Sequence, residues 1–503
     1  MRFGGKSDIL SQKKGTNKNR IGARIPEPND NVTMRMGHKT LVDAVFEDTG
    51  LNVFLDGLKR EQGDSVSKEV AMLVSNSAEM TGISVNRMDR LLESDVVRNE
   101  YGLTSDSKSI YRTIERIGKK SDDIVKYLGS TLRERYGVTM DTVFMDWTSM
   151  YFEAPSNDIV KFGHSRDHRS DRPQVVVGLS IDKDSGMPVG LTVKPGNILD
   201  VTHFEESFDM IRPFLPKDAM IVFDNGAYSR RNAAILDEEG FGFVTRMQMN
   251  SSDDAFVERK KEEWNSLNGD MIFMKIKGNL GRSRYVFFSA ERKADTLSNY
   301  RKKAERDYKE MEELKAATLK GRKPRKKHRN GNCFIDTRLS HLFPLSVMTK
   351  ENAIEHAVKL MTTGREGLFV LLTNRPLTAS ETLEIYRSRN AVESAFKDLK
   401  HGIDWRPARC TSADAVKGRI LISFLSLFCM SMLRFLYPEF KTKTAGSISE
   451  ELSSFALTVT DGKNDRKRRV WSNFTEIIRR ISGKSGSVPV PKAPERGPLD
   501  RFC

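Results

Sequence analysis

The spacing of hydrophobic positions changes along the chain, and each change marks a change of architecture. Between residues 36 and 137 apolar residues recur every three or four positions: Leu41, Val42, Val45 and Phe46, then Val70, Met72 and Leu73, then Ile110, Ile114 and Ile117. That period predicts amphipathic helices. From Thr142 the pattern becomes one of short apolar runs. Thr142 to Met145 is the first, and Val175 to Ile181 and Val189 to Val193 flank the turn Asp182-Lys183-Asp184-Ser185-Gly186. These read as three consecutive antiparallel strands, the last two a hairpin. A helix through Phe204 to Phe214, a strand from Ala219, a helix from Ser229 to Glu238 and a strand from Phe241 to Arg246 complete the order β-β-β-α-β-α-β.

Residues 251–365 interrupt that order. Met271 to Ile276 and Tyr285 to Ser289 read as strands, and Glu291 to about Leu319 as a charged helix. The order resumes with a strand from Gly367 to Asn374. Thr378-Ala379-Ser380-Glu381 is a capping-box pattern that opens the next helix. The most apolar stretch, Ile420 to Met430, falls short of the roughly 20 residues that span a bilayer. It reads as part of a buried helix reaching Tyr437. The chain is polar beyond residue 440, with a Pro-rich end expected to be loose. Residues 1–35 carry Lys, Arg, Asn, Gly and Pro with little to bury, and read as a basic arm. Six segments result: 1–35, a flexible basic arm; 36–137, helical; 138–250, the first strand-rich part; 251–365, an insertion; 366–440, the last part; and 441–503, polar.

Candidate chemistry sits at three places in this pattern. Asp146 ends the run Thr142-Val143-Phe144-Met145, and Asp224 ends Ala219-Met220-Ile221-Val222-Phe223. Strand ends meet solvent where ligands bind. A lone strand-end aspartate is more often a turn residue or cap. The third place is Tyr386 to Lys400, with the spacing Y-x2-R-x3-E-x6-K over Tyr386, Arg389, Glu393 and Lys400. On one helix these four fall within roughly 60° of each other. Ile385, Val392, Ala395, Phe396 and Leu399 form an adjoining apolar stripe. The bland reading is a solvated face with Arg389–Glu393 as an i,i+4 pair. Two upstream aspartates weigh against it, because three carboxylates can hold two divalent cations for in-line attack on a phosphodiester.

The ordered Asp146, Asp224 and Glu393, the last inside that signature, resemble the DDE transposases of prokaryotic insertion sequences. More narrowly they resemble the cut-and-paste branch defined by the Tyr-Arg-Glu-Lys signature. Lys161 to Arg169, the Gly196-Asn197 turn with Asp200, and Leu372-Thr373-Asn374 fit the same likeness, which covers roughly residues 138–250 and 365–435. The resemblance implies a ribonuclease-H-like α/β core, a mixed five-stranded sheet with helices. A β-rich insertion would interrupt that core, and a helical N-terminal domain would precede it. It implies that Asp146, Asp224 and Glu393 are catalytic and bind two Mg²⁺ ions, with Mn²⁺ able to substitute. Arg389 and Lys400 would hold DNA phosphates and Tyr386 a phosphate beside the cut. The implied reaction is cleavage at the inverted-repeat ends of the element and strand transfer into target DNA, by a homodimer in a synaptic complex. A hairpin intermediate is implied as well. The alternatives are a nuclease of the same fold that cuts without joining, and a domesticated, non-catalytic DNA-binding protein.

Charge supports a polyanionic partner. The 503 residues carry 83 Lys+Arg against 68 Asp+Glu, a formal net charge of +15. A helix, a glycine turn at Gly102 and a second helix would let Arg112 and Arg116, with Lys108 and Tyr111, enter a major groove. This makes residues 36–137 the expected end-binding domain. The block holding Arg322, Lys323, Arg325, Lys326 and Lys327 suits phosphate contact without base reading. His164 and His168 are spaced for zinc, but the Gly, Ser and Arg around them favour a phosphate-contacting or structural loop from Gly163 to Arg172, close in sequence to Asp146. Cys333, Cys410, Cys429 and Cys503 show no metal spacing. With no apolar signal-peptide core at Met1 to Lys6, the expected place is the cytoplasm of a prokaryote, at the nucleoid and without a membrane partner.

Overall fold

The computed structural model describes residues 31–58, 65–79, 92, 94–103, 107–152, 156–166, 169–269, 271–278, 281–319, 342–343, 349–401, 412–461 and 467–485. Strand β1 (Asn31–Arg35) precedes the helices α1 (Gly37–Thr49), α2 (Leu51–Asp56), α3 (Val66–Ala78), α4 (Asp95–Tyr101), α5 (Ser107–Lys119) and α6 (Ser121–Tyr136). The strand-rich part follows as β2 (Thr142–Tyr151), β3 (Gln174–Asp182), β4 (Pro188–Pro195), α7 (Asp200–Ile211), β5 (Met220–Phe223), α8 (Arg230–Glu238) and β6 (Gly242–Met247). Next come α9 (Ser251–Arg259), β7 (Asn265–Asn268), β8 (Met271–Lys277), β9 (Ser283–Ser289), α10 (Ala290–Leu319) and α11 (Lys350–Met361). The chain ends through β10 (Leu368–Thr373), α12 (Ala379–Arg387), α13 (Asn390–His401), α14 (Ala413–Leu436), α15 (Ala445–Ser454), β11 (Ala456–Asp461), β12 (Lys467–Ser472) and α16 (Glu476–Ser485).

Among the described residues nine strands form one mixed sheet in the order β4-β3-β2-β5-β6-β10-β9-β8-β7. The run β4-β3-β2-β5-β6 holds the five strands expected of the core, with β2, β5 and β6 parallel and β3 and β4 antiparallel. The strands of the 251–365 segment extend the sheet. β10 lies antiparallel between β6 and β9, and β8 and β7 follow outward. Asn374, at the end of β10, fastens that junction. Its side chain accepts from the Phe243 amide at 2.7 Å and donates to the Phe241 carbonyl at 2.9 Å and to Asp237 at 2.7 Å. The capping box at Thr378 and Glu381 forms as the sequence predicts and starts α12.

Two expectations change, and the buried helix around Ile420 is found as expected. The basic arm does not run to residue 35, because its end is β1, paired with β11, which in turn pairs with β12. The polar C-terminal segment is folded through Ser485, and Leu457, Val459 and Ile477 are buried in the same core as Leu41 and Val45. Alternation of threonine with apolar residues in Ala456 to Thr460 was the missed strand signal. The apolar stretch around Ile420 belongs to a 24-residue helix, α14, long and apolar enough to cross a membrane by length and composition. It lies instead at the centre of the molecule, with Ile420, Leu421, Phe424, Leu425 and Phe428 fully buried.

Helix α14 is gripped from the N-terminal side by α5, and glycines permit the crossing. A Cβ at Gly418 would lie 1.9 Å from the Ile114 carbonyl oxygen, and one at Gly118 would lie 1.8 Å from that of Asp414. Gly418→Ala should therefore force the helices apart and destabilise the protein by about 1–3 kcal/mol. Gly446→Ala, in open space on α15 with its nearest atom 4.0 Å away, is the control and should be near neutral. Thermal melts of the two variants test the crossing, and an unchanged melting temperature for Gly418→Ala would contradict it.

Candidate active site

The parallel pairing of β2 with β5 sets the level of two carboxylates. Phe144 lies opposite Val222. Two residues further along their segments stand Asp146 and Asp224, and side chains two apart share a face. Asp224 follows the last residue of β5, so it stands at a strand end as the sequence suggests. Asp146 does not. β2 continues to Tyr151, and Asp146 is mid-strand, opposite Leu179 of β3. The apolar pattern of β2 carries on through Trp147 and Met150, both buried. The acid interrupts a strand because its other neighbour, β5, has ended and left room beside it.

The segment from Tyr386 to Lys400 crosses this strand end. α12 packs on β6 and β10, and α13 packs on β2 and β3. Val392, Phe396 and Leu399 are the buried anchors of α13, while Ile385 and Ala395 are half-buried beside them. The single continuous helix expected here is two helices. Arg389, Ala391 and Val392 donate their amides three residues back, at 3.2, 3.2 and 3.0 Å, which tightens the turn between helices. The Ser388 amide and hydroxyl both donate to the Glu384 carbonyl, at 3.0 and 2.9 Å, and so cap the end of α12.

That break places each side chain differently. The Tyr386 hydroxyl donates to Asp224 Oδ1 at 2.9 Å. Arg389 turns inward, only 13% exposed, with Nη1 3.5 Å from Asp146 Oδ2 and Nη2 2.9 Å from Glu393 Oε1. Its guanidinium also lies 5.4 Å from the Tyr386 ring centroid. Asp146, Asp224, Glu393 and Arg389 line one open cavity of about 310 Å³, with Trp147, Thr148, Arg166, Asp200, Ala227 and Phe396. A larger cavity, about 640 Å³, lies on the far side of α13 against Ser394 and Asp398 and contains none of the three carboxylates.

Burial separates the acids. The Asp146 side chain is 19% exposed and that of Glu393 48%. Desolvation pushes the Asp146 carboxyl up to about 6, against the pull of Arg389, the Trp147 amide at 2.9 Å and Arg166. Burial and the neighbouring Asp224 carboxylate raise the Tyr386 phenol, which stays a hydrogen-bond donor. Burial alone would lower Arg389, yet Tyr386 and the surrounding carboxylates outweigh it and raise the guanidinium.

Other predicted site residues fall elsewhere. Lys400 lies on α13, and its side chain is outside the described residues. Arg112 is exposed and Arg116 half-buried on α5, beyond the left-handed turn at Gly102 (φ 62°) that ends α4. Arg322, Lys323, Arg325, Lys326 and Lys327 lie outside the described residues, as does His168. Arg166, on the loop expected to be phosphate-contacting or structural, and Asp200 also line the cavity, although neither is among the predicted site residues.

Residues 138–429 match the family model described as a transposase DDE domain. The chain belongs to that family. It is a transposase, an enzyme of DNA transposition and recombination that cleaves and transfers DNA. No curated protein matches the sequence. Among solved structures, a piggyBac transposase synaptic complex with hairpin DNA is similar at 11% identity and a TM-score of 0.39, covering 91% of this chain and 82% of that one. A Mos1 transposase paired-end complex with the left transposon end is similar at 12% identity and a TM-score of 0.15, covering 32% of this chain and 58% of that one.

Arg389 offsets a charge that its neighbourhood otherwise disfavours. The folded-state pKa of Asp146 lies above its ordinary value, so stability falls as the pH rises from about 3.8 to about 6 and the cost is fully present above that. Arg389→Ala should therefore lower the stability of the metal-free protein by about 1–3 kcal/mol at pH 8. At pH 5 Asp146 keeps its proton and the loss should be much smaller. Thermal melts at the two pH values measure this, and an equal loss at both would contradict the role.

Proposed function

We propose that Asp146, Asp224 and Glu393 form the catalytic centre of a cut-and-paste transposase of the Tyr-Arg-Glu-Lys branch, at work on an insertion sequence in a prokaryotic cytoplasm. The observation that carries this reading is the common level of Asp146 and Asp224 on β2 and β5, with Glu393 brought to the same cavity by α13. Three carboxylates offer only hard oxygen donors, which suit Mg²⁺ or Mn²⁺. Among the described residues no group of three acids, histidines or cysteines is gathered to metal-binding distance. The place between Asp146 and Glu393 holds the Arg389 guanidinium. A cation is thus already held where the reading wants positive charge, and the donor set fits once Arg389 turns outward. Bound divalent ions would supply activation of the attacking oxygen and stabilisation of the leaving one.

The protein's own groups do the rest. The Tyr386 hydroxyl orients Asp224 through a hydrogen bond. Arg389, once released, is a planar donor for a DNA phosphate, and Lys400 serves the same backbone further along α13. Trp147 donates its indole N–H to Ser207 at 3.1 Å and closes the floor behind Asp146. Arg112 and Arg116 on α5 provide groove contacts at the element ends, and a homodimer pairs two such ends. The basic block from Arg322 to Lys327 adds affinity for any DNA.

Asp146→Asn, Asp224→Asn and Glu393→Gln should each abolish Mg²⁺-dependent cleavage and strand transfer while leaving DNA binding largely intact. The assay uses the inverted repeats that flank the gene, and near wild-type cleavage by any one variant would remove that residue from the centre. Metal uptake requires ionised carboxylates, so Mn²⁺ affinity measured by calorimetry should weaken as the pH falls through about 6, where Asp146 gains its proton. Affinity that is flat from pH 8 to pH 5 would place the ion elsewhere.

A further inference from the structure

The cavity holds a second arginine and a fourth carboxylate that the catalytic reading leaves unused. Arg166 and Asp200 both line it, and Arg166 Nη2 is paired with Asp200 Oδ2. Asp200 opens α7. Its side chain is 16% exposed, and burial raises its carboxyl while Arg166 pulls it down.

The pair is built into the fold from both sides. Arg166 sits on a loop whose backbone is fixed to β2, because its amide donates to Ser149 Oγ at 2.8 Å, three residues beyond Asp146. The next turn of the loop is held by the Arg169 amide on Ser165 Oγ at 3.0 Å, and the Arg169 guanidinium lies 5.0 Å from the Tyr151 ring centroid. Asp200 follows the turn at Gly196, and there the two loops touch backbone to backbone. A Cβ at Gly163 would lie 1.8 Å from the Gly196 carbonyl oxygen, and one at Gly196 would lie 2.5 Å from that of Lys161. On its other side Asp200 abuts the turn after Asp224, since a Cβ at Gly226 would lie 2.8 Å from Asp200 Oδ2. Glycines at 163, 196 and 226 thus permit the approaches that bring Arg166 beside the three proposed metal-binding acids.

We propose that Arg166 is a contact for a DNA phosphate next to the scissile bond, and that Asp200 is its positioning residue and not a metal ligand. This deepens the catalytic reading and rests on it. Among the described residues Arg166 and Arg389 are the two guanidinium groups lining the cavity, so a phosphodiester entering it can be bracketed by two planar donors. A guanidinium has five N–H donors, and its contact with Asp200 is made through Nη2, which leaves its fork geometry to meet a phosphate oxygen. The Asp200 oxygen nearest the Asp224 turn is the one engaged by Arg166, so Asp200 holds the guanidinium in place.

The experiment compares Arg166→Ala, Arg166→Lys and Asp200→Asn in the full chain. The readouts are Mn²⁺ calorimetry without DNA, salt-dependent binding to a random-sequence duplex, and cleavage of the flanking inverted repeats. Arg166→Ala should lower the log–log salt slope by about one unit with Mn²⁺ affinity unchanged. Arg166→Lys should restore the slope but leave cleavage at least about tenfold reduced, because a lysine lacks the fork. Asp200→Asn should bind Mn²⁺ and DNA within about twofold of wild type and cleave at least about tenfold more slowly, with the loss in kcat. An unchanged slope for Arg166→Ala overturns the phosphate contact, and so does full cleavage by Arg166→Lys. Loss of Mn²⁺ binding in Asp200→Asn overturns the positioning role and makes Asp200 a ligand. Failure of the catalytic reading itself is seen separately, as retained cleavage in Asp146→Asn. A variant that fails to fold is recognised by its melt, and the other two then decide.

Discussion

Burial of Asp146 disfavours its charged form, and the Asp224 carboxylate at the same level adds a smaller repulsion. Much of the architecture around Asp146 and Asp224 answers that cost. The Tyr386 hydroxyl takes up one oxygen of Asp224, and Arg389 spans from Asp146 to Glu393. Arg166 neutralises Asp200 on the far side. The break between α12 and α13 has the same logic. An unbroken helix would present Tyr386, Arg389 and Glu393 as one outward stripe. The tight turn at Ser388–Arg389 instead drives the guanidinium inward, where it is mostly shielded from solvent.

The compensation is also what makes the site convertible. A buried charge pair is costly to break but contributes little net stability when intact. A divalent ion at the acids would replace Arg389 as counter-charge, and the freed guanidinium would meet the phosphate that arrives with the metal. One residue would thus serve the metal-free protein and the DNA complex in turn. The scaffold behind the site is closely packed. α14 is buried along most of its length, the Gly118–Gly418 crossing ties it to the N-terminal helices, and Arg434 on α14 approaches Asp398 on α13 at 3.7 Å. α5 is therefore joined through α14 to the helix that carries Glu393.

The core of this arrangement could be read from the chain because strand and helix periods are local. The runs ending near Asp146 and Asp224, the hairpin at Asp182 to Gly186 and the capping box at Thr378 each depend on neighbouring residues alone. What escaped the sequence depends on distant partners. β1 is a strand only because β11, more than four hundred residues later, pairs with it. Asp146 lies inside a strand and not at its end because β3 outlasts β5 beside it. The helix break at Ser388 carries no Gly or Pro to announce it. Arg166 and Asp200 could be noticed as part of a likeness, but their meeting rests on Gly163 and Gly196 packing across a sequence gap. A glycine in a loop does not reveal which backbone it must admit.

Anomalous scattering from Mn²⁺ in crystals of the protein bound to duplex DNA tests the central claim most directly. The account predicts Mn²⁺ in contact with Asp146, Asp224 and Glu393, with the Arg389 guanidinium withdrawn from Asp146 and placed on a phosphate. Mn²⁺ bound away from these three carboxylates, or Arg389 still bridging Asp146 and Glu393 with the metal in place, would contradict it.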